Sequence, residues 1–283
     1  MSRDLHSGSG VYYQRYRNCT GNLSLDTVIL AVEAGIATIT FNNPPKGFLT
    51  SAMLMALADL LDQVEQDESV RAVIFTGGLP DVFIRHFAVE EILSISQVLQ
   101  AQQAKGLPAP RMSRTPLRGV WERIDNFPKP TIAAINGVCG GGGCELALCC
   151  DIRLAGSGDY RIGQMEILVG ILPGAGGTVR LARAVGTARA LEWVLRGRTF
   201  TPQEAAEQGL VHHYIEGDVV AAARGIAREF LDKPPAALAY IKRVMRSGYG
   251  RSLQDGLDEE SDLFATLIAD DARAIEMMTA YVE

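Results

Sequence analysis

A chain of 283 residues, 47% of them hydrophobic and 21% charged, carries enough apolar surface for a sizeable core, either as one large domain or as one domain with a helical appendage. Its formal net charge of −6 and pI near 5.4 argue against a nucleic acid or an anionic membrane as the main partner and favour a small-molecule role. No run approaches the roughly 18 apolar residues of a membrane span, and Met1 to Gly10 lacks the apolar centre of a signal peptide, so the expected location is cytoplasmic. The five cysteines, Cys19, Cys139, Cys144, Cys149 and Cys150, are odd in number, form no CxxC pair and crowd one segment. That pattern fits reduced thiols packed in a cytosolic core better than a metal site.

The polar, Gly/Ser-punctuated N-terminus reads as a loose arm. Val28-Ile29-Leu30 and Ile36 to Phe41 are β-branched runs around the turn Glu33-Ala34-Gly35, which predicts a hairpin ended by the cluster from Asn42 to Pro45. From Thr50 to Asp67, the spacing of Met53, Leu54, Leu57, Leu60, Leu61 and Val64 predicts a one-sided helix, and Ala72 to Thr76 a buried strand. Between Gln97 and Pro128 prolines interrupt any continuous helix, and the stretch reads as a mobile surface excursion. A βαβ-like passage follows: strand Thr131 to Ile135, helix Cys144 to Cys150, strand Ile152 to Ala155. Thr201-Pro202-Gln203-Glu204 combines an N-cap, a proline at the first helical position and a glutamate at the third, so a helix should run toward Gly209, before a strand from Val211 to Ile215. The remainder is helical in pattern over Val219 to Leu231, Pro235 to Ser247, Ser252 to Ile268 and Asp271 to the end.

The chemistry concentrates where Gly140-Gly141-Gly142-Gly143 runs into Cys144-Glu145, at the predicted strand-to-helix turn. Glycine lacks a Cβ, so a ligand can approach the backbone, and N–H groups at the helix start can face a developing negative charge. The run lacks the GxxxxGK pattern of a phosphate-cradling loop. A second carboxylate follows in Gly163-Gln164-Met165-Glu166. Two glutamates beside such a turn suggest proton transfer next to an enolate.

Lys129-Pro130-Thr131-Ile132-Ala133-Ala134-Ile135-Asn136-Gly137, the glycines with Cys144-Glu145-Leu146-Ala147, and Cys150-Asp151-Ile152 resemble the crotonase (enoyl-CoA hydratase/isomerase) superfamily. The resemblance continues through Gly163 to Glu166, Pro173-Gly174-Ala175-Gly176-Gly177-Thr178 and Thr201 to Ala205. It implies an α/β fold, a spiral of ββα units with a C-terminal helical trimerisation region. On that reading residues 1–27 are an N-terminal arm, 28–215 the spiral core and 216–283 the helical region. The implied assembly is a homotrimer or a dimer of trimers. No metal or redox cofactor is expected, coenzyme A entering only as part of an acyl-CoA substrate.

The same resemblance implies roles residue by residue. The thioester oxygen would meet the N–H groups of Gly142 and Phe87; Glu145 and Glu166 would be the acid–base pair; Gly174 would help place the water. Retention of both glutamates favours hydration of a 2-enoyl-CoA over double-bond isomerisation, thioester hydrolysis or carbon–carbon cleavage. Phosphate contacts to coenzyme A would fall to Lys46 and Lys242. The segment Phe83-Ile84-Arg85-His86-Phe87-Ala88 departs from the family pattern: His86 replaces a glycine, Phe87 adds bulk and Ala88 removes a carboxylate. His86 is therefore a candidate substrate contact or base, with a packed, loop-bonding histidine as the plainer reading. His212 and His213 are neighbours on a predicted strand and face opposite sides, which is unsuited to a shared metal. A non-catalytic RNA-binding offshoot fits poorly with the acidic balance.

Overall fold

The computed structural model describes residues 12–15, 27–107 and 116–283. Strand β1 (Tyr12–Arg15) is followed by β2 (Val28–Glu33), β3 (Ile36–Phe41), helix α1 (Ser51–Gln66), β4 (Ala72–Gly77), β5 (Val82–Ile84), α2 (Val89–Ala104), α3 (Pro116–Asp125), β6 (Thr131–Ile135) and β7 (Val138–Gly140). Next come α4 (Gly142–Cys149), β8 (Ile152–Gly156), β9 (Ile162–Gly163), a 3-10 turn at Glu166–Val169, α5 (Gly177–Val185), α6 (Thr187–Arg196), β10 (Thr199–Phe200), α7 (Pro202–Glu207) and β11 (His213–Ile215). Helices α8 (Val219–Arg228), α9 (Pro235–Ser247), α10 (Leu253–Asp270) and α11 (Ala272–Val282) close the chain.

Two sheets organise these elements. The larger runs β1-β2-β3-β4-β6-β8-β11, antiparallel through β3 and parallel beyond it; the smaller runs β10-β9-β7-β5. Parallel strands are covered on both faces and so read as unbroken apolar runs. Ala72 to Phe75 and Ile132 to Ile135 show this: Val73, Phe75, Ala133 and Ile135 point into the main core with α1, α3 and α4, whereas Ala72, Ile74, Ile132 and Ala134 meet α8 through Val219, Ala223 and Ala227. Helix α1 starts where Thr50 accepts a hydrogen bond from Met53 N, and it buries the six apolar residues its spacing singled out.

The structure departs from the expectation over Gln97 to Pro128. Helix α2 occupies Val89–Ala104, and α3 packs against α1 and α4 with Trp121, Ile124 and Phe127 buried. Prolines misled here because Pro116 begins α3, where a missing N–H costs nothing. Residues 108–115 lie outside the described residues, as does most of the proposed arm, although β1 within it pairs antiparallel with β2. The smaller sheet and helices α5 and α6 were not expected either, since strands of two or three residues leave no periodicity to read. Past residue 215, α8 completes the sheet's second face, while α10 buries none of its residues.

Candidate active site

The glycine run is a steric consequence of two strands meeting. β5 pairs in parallel with β7, and the chain beyond β5 passes directly over the turn into α4. A Cβ on Gly143 would lie 2.4 Å from the Ile84 carbonyl oxygen, and Gly141 takes φ +48°, a left-handed conformation that a side chain strains. The run thus lets the segment from Ile84 to Phe87 lie against the start of α4.

Two amides are left over by this arrangement. Leu49 and Phe87 form a parallel bridge in which Leu49 N donates to His86 O and Ala88 N donates to Leu49 O, at 2.9 and 2.8 Å. That pattern turns the Phe87 N–H away from Leu49. Gly142 is the first residue of α4, where an N–H has no partner within the helix. Neither N–H donates a hydrogen bond among the described residues, and a Cβ on Gly142 would lie 3.5 Å from Phe87 N. Two unused donors therefore sit side by side, able to receive one oxygen. The Phe87 side chain packs against the core.

Glu145 stands in the first turn of α4 and is 2% exposed. Its Oε1 accepts from Ala175 N at 2.8 Å and Gly177 N at 2.9 Å. Burial pushes its pKa up, while those N–H groups, the Arg180 guanidinium and the Trp121 indole pull it down. Gly174, expected near the water, is not one of the donors to Glu145, and a Cβ there would meet open space.

Glu166 opens the 3-10 turn. Its Oε1 would lie 3.2 Å from a Cβ on Gly141, one residue before the Gly142 amide. The buried Gln164 amide lies against this carboxylate, and turned so that its nitrogen faces Glu166 it donates to the two oxygens at 2.8 and 3.0 Å. Burial and the negative charge of Glu145 push the Glu166 pKa to about 7 against the N–H of its own residue. The charge of one carboxylate acts on the other, so the structure brings the pair together. Gln164 is a site residue that the sequence marks only by its place in Gly163 to Glu166, an amide two residues before a carboxylate.

His86 Nδ1 is 2.8 Å from Phe87 O, and its ring rests on Phe48 with centroids 4.3 Å apart. A carbonyl accepts only, so Nδ1 carries the proton. Lys46 Nζ lies over the other partner, 5.3 Å from the Phe48 centroid and 3.9 Å from Glu90 Oε1. Lys242 is placed differently: its half-buried ammonium lies 2.5 Å from Asp151 and donates to Lys129 O at 2.7 Å. Arg246 joins Asp151 to Asp125, and Asp125 in turn holds Arg180, whose Nη1 donates to Ala175 O at 2.6 Å. Arg180 and Asp125 were not singled out in the sequence, because arginines and aspartates on helices are usually solvated. Among the described residues, no group of three or more His, Cys, Asp or Glu side chains is placed to hold a metal.

Fold and site together define a mixed α/β protein with one buried and one half-buried carboxylate beside two unused amides. The model of the family "Enoyl-CoA hydratase/isomerase" matches residues 31–283, and the chain belongs to that family. A probable enoyl-CoA hydratase of Bacillus subtilis (strain 168) is 36% identical over 92% of this chain and 96% of its own length. A 2,3-dehydroadipyl-CoA hydratase of Escherichia coli (strain K12) is 35% identical over 88% and 93%. Among solved structures, an enoyl-CoA hydratase from Geobacillus kaustophilus HTA426 superposes with a TM-score of 0.82 at 26% identity, covering 96% of each chain. One from Bacillus anthracis gives 0.79 at 30% identity, covering 90% of this chain and 95% of that one. The fold is the crotonase fold of these relatives.

Proposed function

We propose that this chain is a lyase that adds water across the 2,3 double bond of a 2-enoyl-CoA thioester. The observation that carries the reading is the pair of carboxylates beside two unused amides, Glu145 buried and tied to two backbone donors, and Glu166 half-buried with a pKa raised to about 7. Environments that push two carboxyl groups apart assign an acid and a base.

The thioester oxygen accepts hydrogen bonds from Gly142 N–H and Phe87 N–H, which become stronger as the oxygen takes up enolate charge. Ionised Glu145 removes a proton from water as its oxygen bonds to C3. Neutral Glu166 gives its proton to C2, and the electron pair held on the thioester oxygen returns to the carbonyl. The product is a 3-hydroxyacyl-CoA, and dehydration runs the same steps backwards with the two roles exchanged. No cofactor takes part beyond the coenzyme A of the substrate itself. Lys46 at the rim, with its exposed ammonium, suits a coenzyme A phosphate better than half-buried Lys242, which belongs to an internal ion-pair network. His86 lines the approach to the thioester, and Gly174 borders the water.

The relatives named as hydratases support this reading. The apolar residues left exposed on the last helices, Leu253, Leu257, Phe264 and Ile268 among them, suit packing against further copies as a homotrimer or a dimer of trimers. A cytoplasmic location fits this reaction, and among the described residues no helix is long and apolar enough to cross a membrane. The test is consumption of crotonyl-CoA followed by loss of the conjugated-thioester absorbance, with a product heavier by one water. A flat trace across a panel of 2-enoyl-CoAs, with isomerisation or release of free coenzyme A instead, would overturn it in favour of another crotonase-type acyl-CoA reaction.

A further inference from the structure

Among the described residues, one buried side-chain polar atom has no hydrogen-bond partner: Nε1 of Trp121. Its side chain is wholly inaccessible, so no solvent satisfies the N–H. A buried donor without an acceptor is destabilising, and phenylalanine would supply a ring for the core without that cost. The acceptor it faces is the Glu145 carboxylate, on whose acidity the indole acts. That carboxylate has the matching vacancy: both backbone bonds, from Ala175 and Gly177, go to Oε1, and Oε2 accepts none among the described residues.

A second contact from the same helix acts on Glu145. Asp125 lies one turn beyond Trp121 on α3, hence on the same face, and holds Arg180 by its Nε at 2.8 Å. Arg180 then clamps the carbonyl of Ala175, one of the residues whose N–H donates to Glu145. Helix α3 packs against α4, so it approaches Glu145 directly through Trp121 and indirectly through Asp125.

We infer that Trp121 is a positioning residue for Glu145: its indole N–H closes onto Oε2 in the working enzyme and aims that oxygen at the attacking water. A carboxylate oxygen has two lone pairs, so one can take the indole N–H while the other takes the water proton. The bond forms best with the ionised carboxylate, the state that hydration requires. Phenylalanine fills the space and aims nothing.

This inference rests on Glu145 being the base of the proposed hydration. The groups facing that carboxylate are Arg180 from α5 and Glu166 across the site. Asp125 on α3 is engaged by Arg180 and Arg246, and burial pushes the thiols of Cys139 on β7 and Cys149 on α4 well up, leaving them neutral. Losing the indole donor therefore raises the Glu145 pKa, and Glu166 feels the same charge wherever Glu145 stays ionised, as it does across the alkaline limb. In Trp121→Phe, the acidic limb of the kcat/KM profile moves upward by about one pH unit or more, the alkaline limb stays, and kcat falls roughly tenfold. Replacing Trp121 with 3-benzothienylalanine, which has sulfur in place of N–H on the same bicycle, should do the same, and it decides the matter should the phenylalanine variant fail to fold. Titration of the Glu145 carboxyl carbon by NMR in wild type and variant gives a readout independent of turnover. Hydration by wild type with superimposable acidic limbs and an unmoved Glu145 titration overturns the role of Trp121 alone. No hydration by wild type, with the titration still shifted in the variant, overturns the reaction and leaves the positioning intact.

Discussion

Glu145 grows from the first turn of α4, at the end of a glycine run, and the fold grips it from several sides: two backbone amides, the Arg180 guanidinium and the buried face of α3. Glu166 heads a four-residue 3-10 turn whose neighbours Ile167, Leu168 and Val169 are exposed, and the Gln164 amide lies against its carboxylate. Burial raises the pKa of both. The difference lies in what opposes it: donors and a positive charge favour ionised Glu145, and that negative charge then favours a proton on Glu166. One carboxylate is tied down by rigid elements, which suits the proposed base, and the other is raised first by burial and then by its neighbour's charge, which suits the proposed acid.

If the two act as one unit, Glu145→Gln and Glu166→Gln should each lower hydration by about 10²–10⁴-fold. The double variant should then lose little beyond the worse single change; rates that fall by the product of the two losses would mean separate roles and would break the pairing. The next effect tests the rigid side. In Gly143→Ala the new Cβ would meet the Ile84 carbonyl oxygen at 2.4 Å, displacing the segment that carries the Phe87 amide from the start of α4. Activity should fall about 10²-fold with about 2 kcal/mol of stability, measured by steady-state kinetics and urea unfolding; wild-type values would show that close approach is not what the glycines serve.

The softer side is tested by pH. The folded pKa of Glu166, about 7, lies above its ordinary value of 4.5, so the stability tied to its proton is complete below pH 4.5 and is lost as pH rises through 7. Glutamine cannot ionise. Glu166→Gln should therefore melt above wild type at pH 8 and match it at pH 4, in thermal unfolding scans at the two pH values; an equal gap at both would remove the raised pKa as its cause. The smallest effect lies away from both carboxylates. Thr201 and Glu204 form a reciprocal capping box on α7, and Thr201→Ala should cost about 1 kcal/mol with kcat and KM unchanged. A kinetic change there would mean that the site is less local than the contrast between Glu145 and Glu166 implies.

The family could be read from ordered motifs, and the resemblance pointed to both glutamates and to the Gly142 and Phe87 amides, which the fold leaves unused beside the glycine turn. The periodicities of α1, β4 and β6 were legible as well, each being a long element with one or two dry faces. Segment 97–128 was not. Whether Trp121 lies on a surface excursion or inside the core depends on α1 and α4 closing over it, and those residues are distant in sequence. Lys242 shows the same limit: a lysine on a helix looks like a phosphate contact until Asp151, some ninety residues earlier in the chain, is found beside it.

The linear order of residues was enough to mark the two glutamates and the glycine turn between them as the candidate site, since each is written in a few consecutive positions. Their protonation states belong to the folded molecule alone. A carboxyl group's pKa depends on the water removed from around it and on charges within a few ångströms, and here those charges and donors come from α3, α5 and the turn after β9, brought together only when the two sheets and their helices pack.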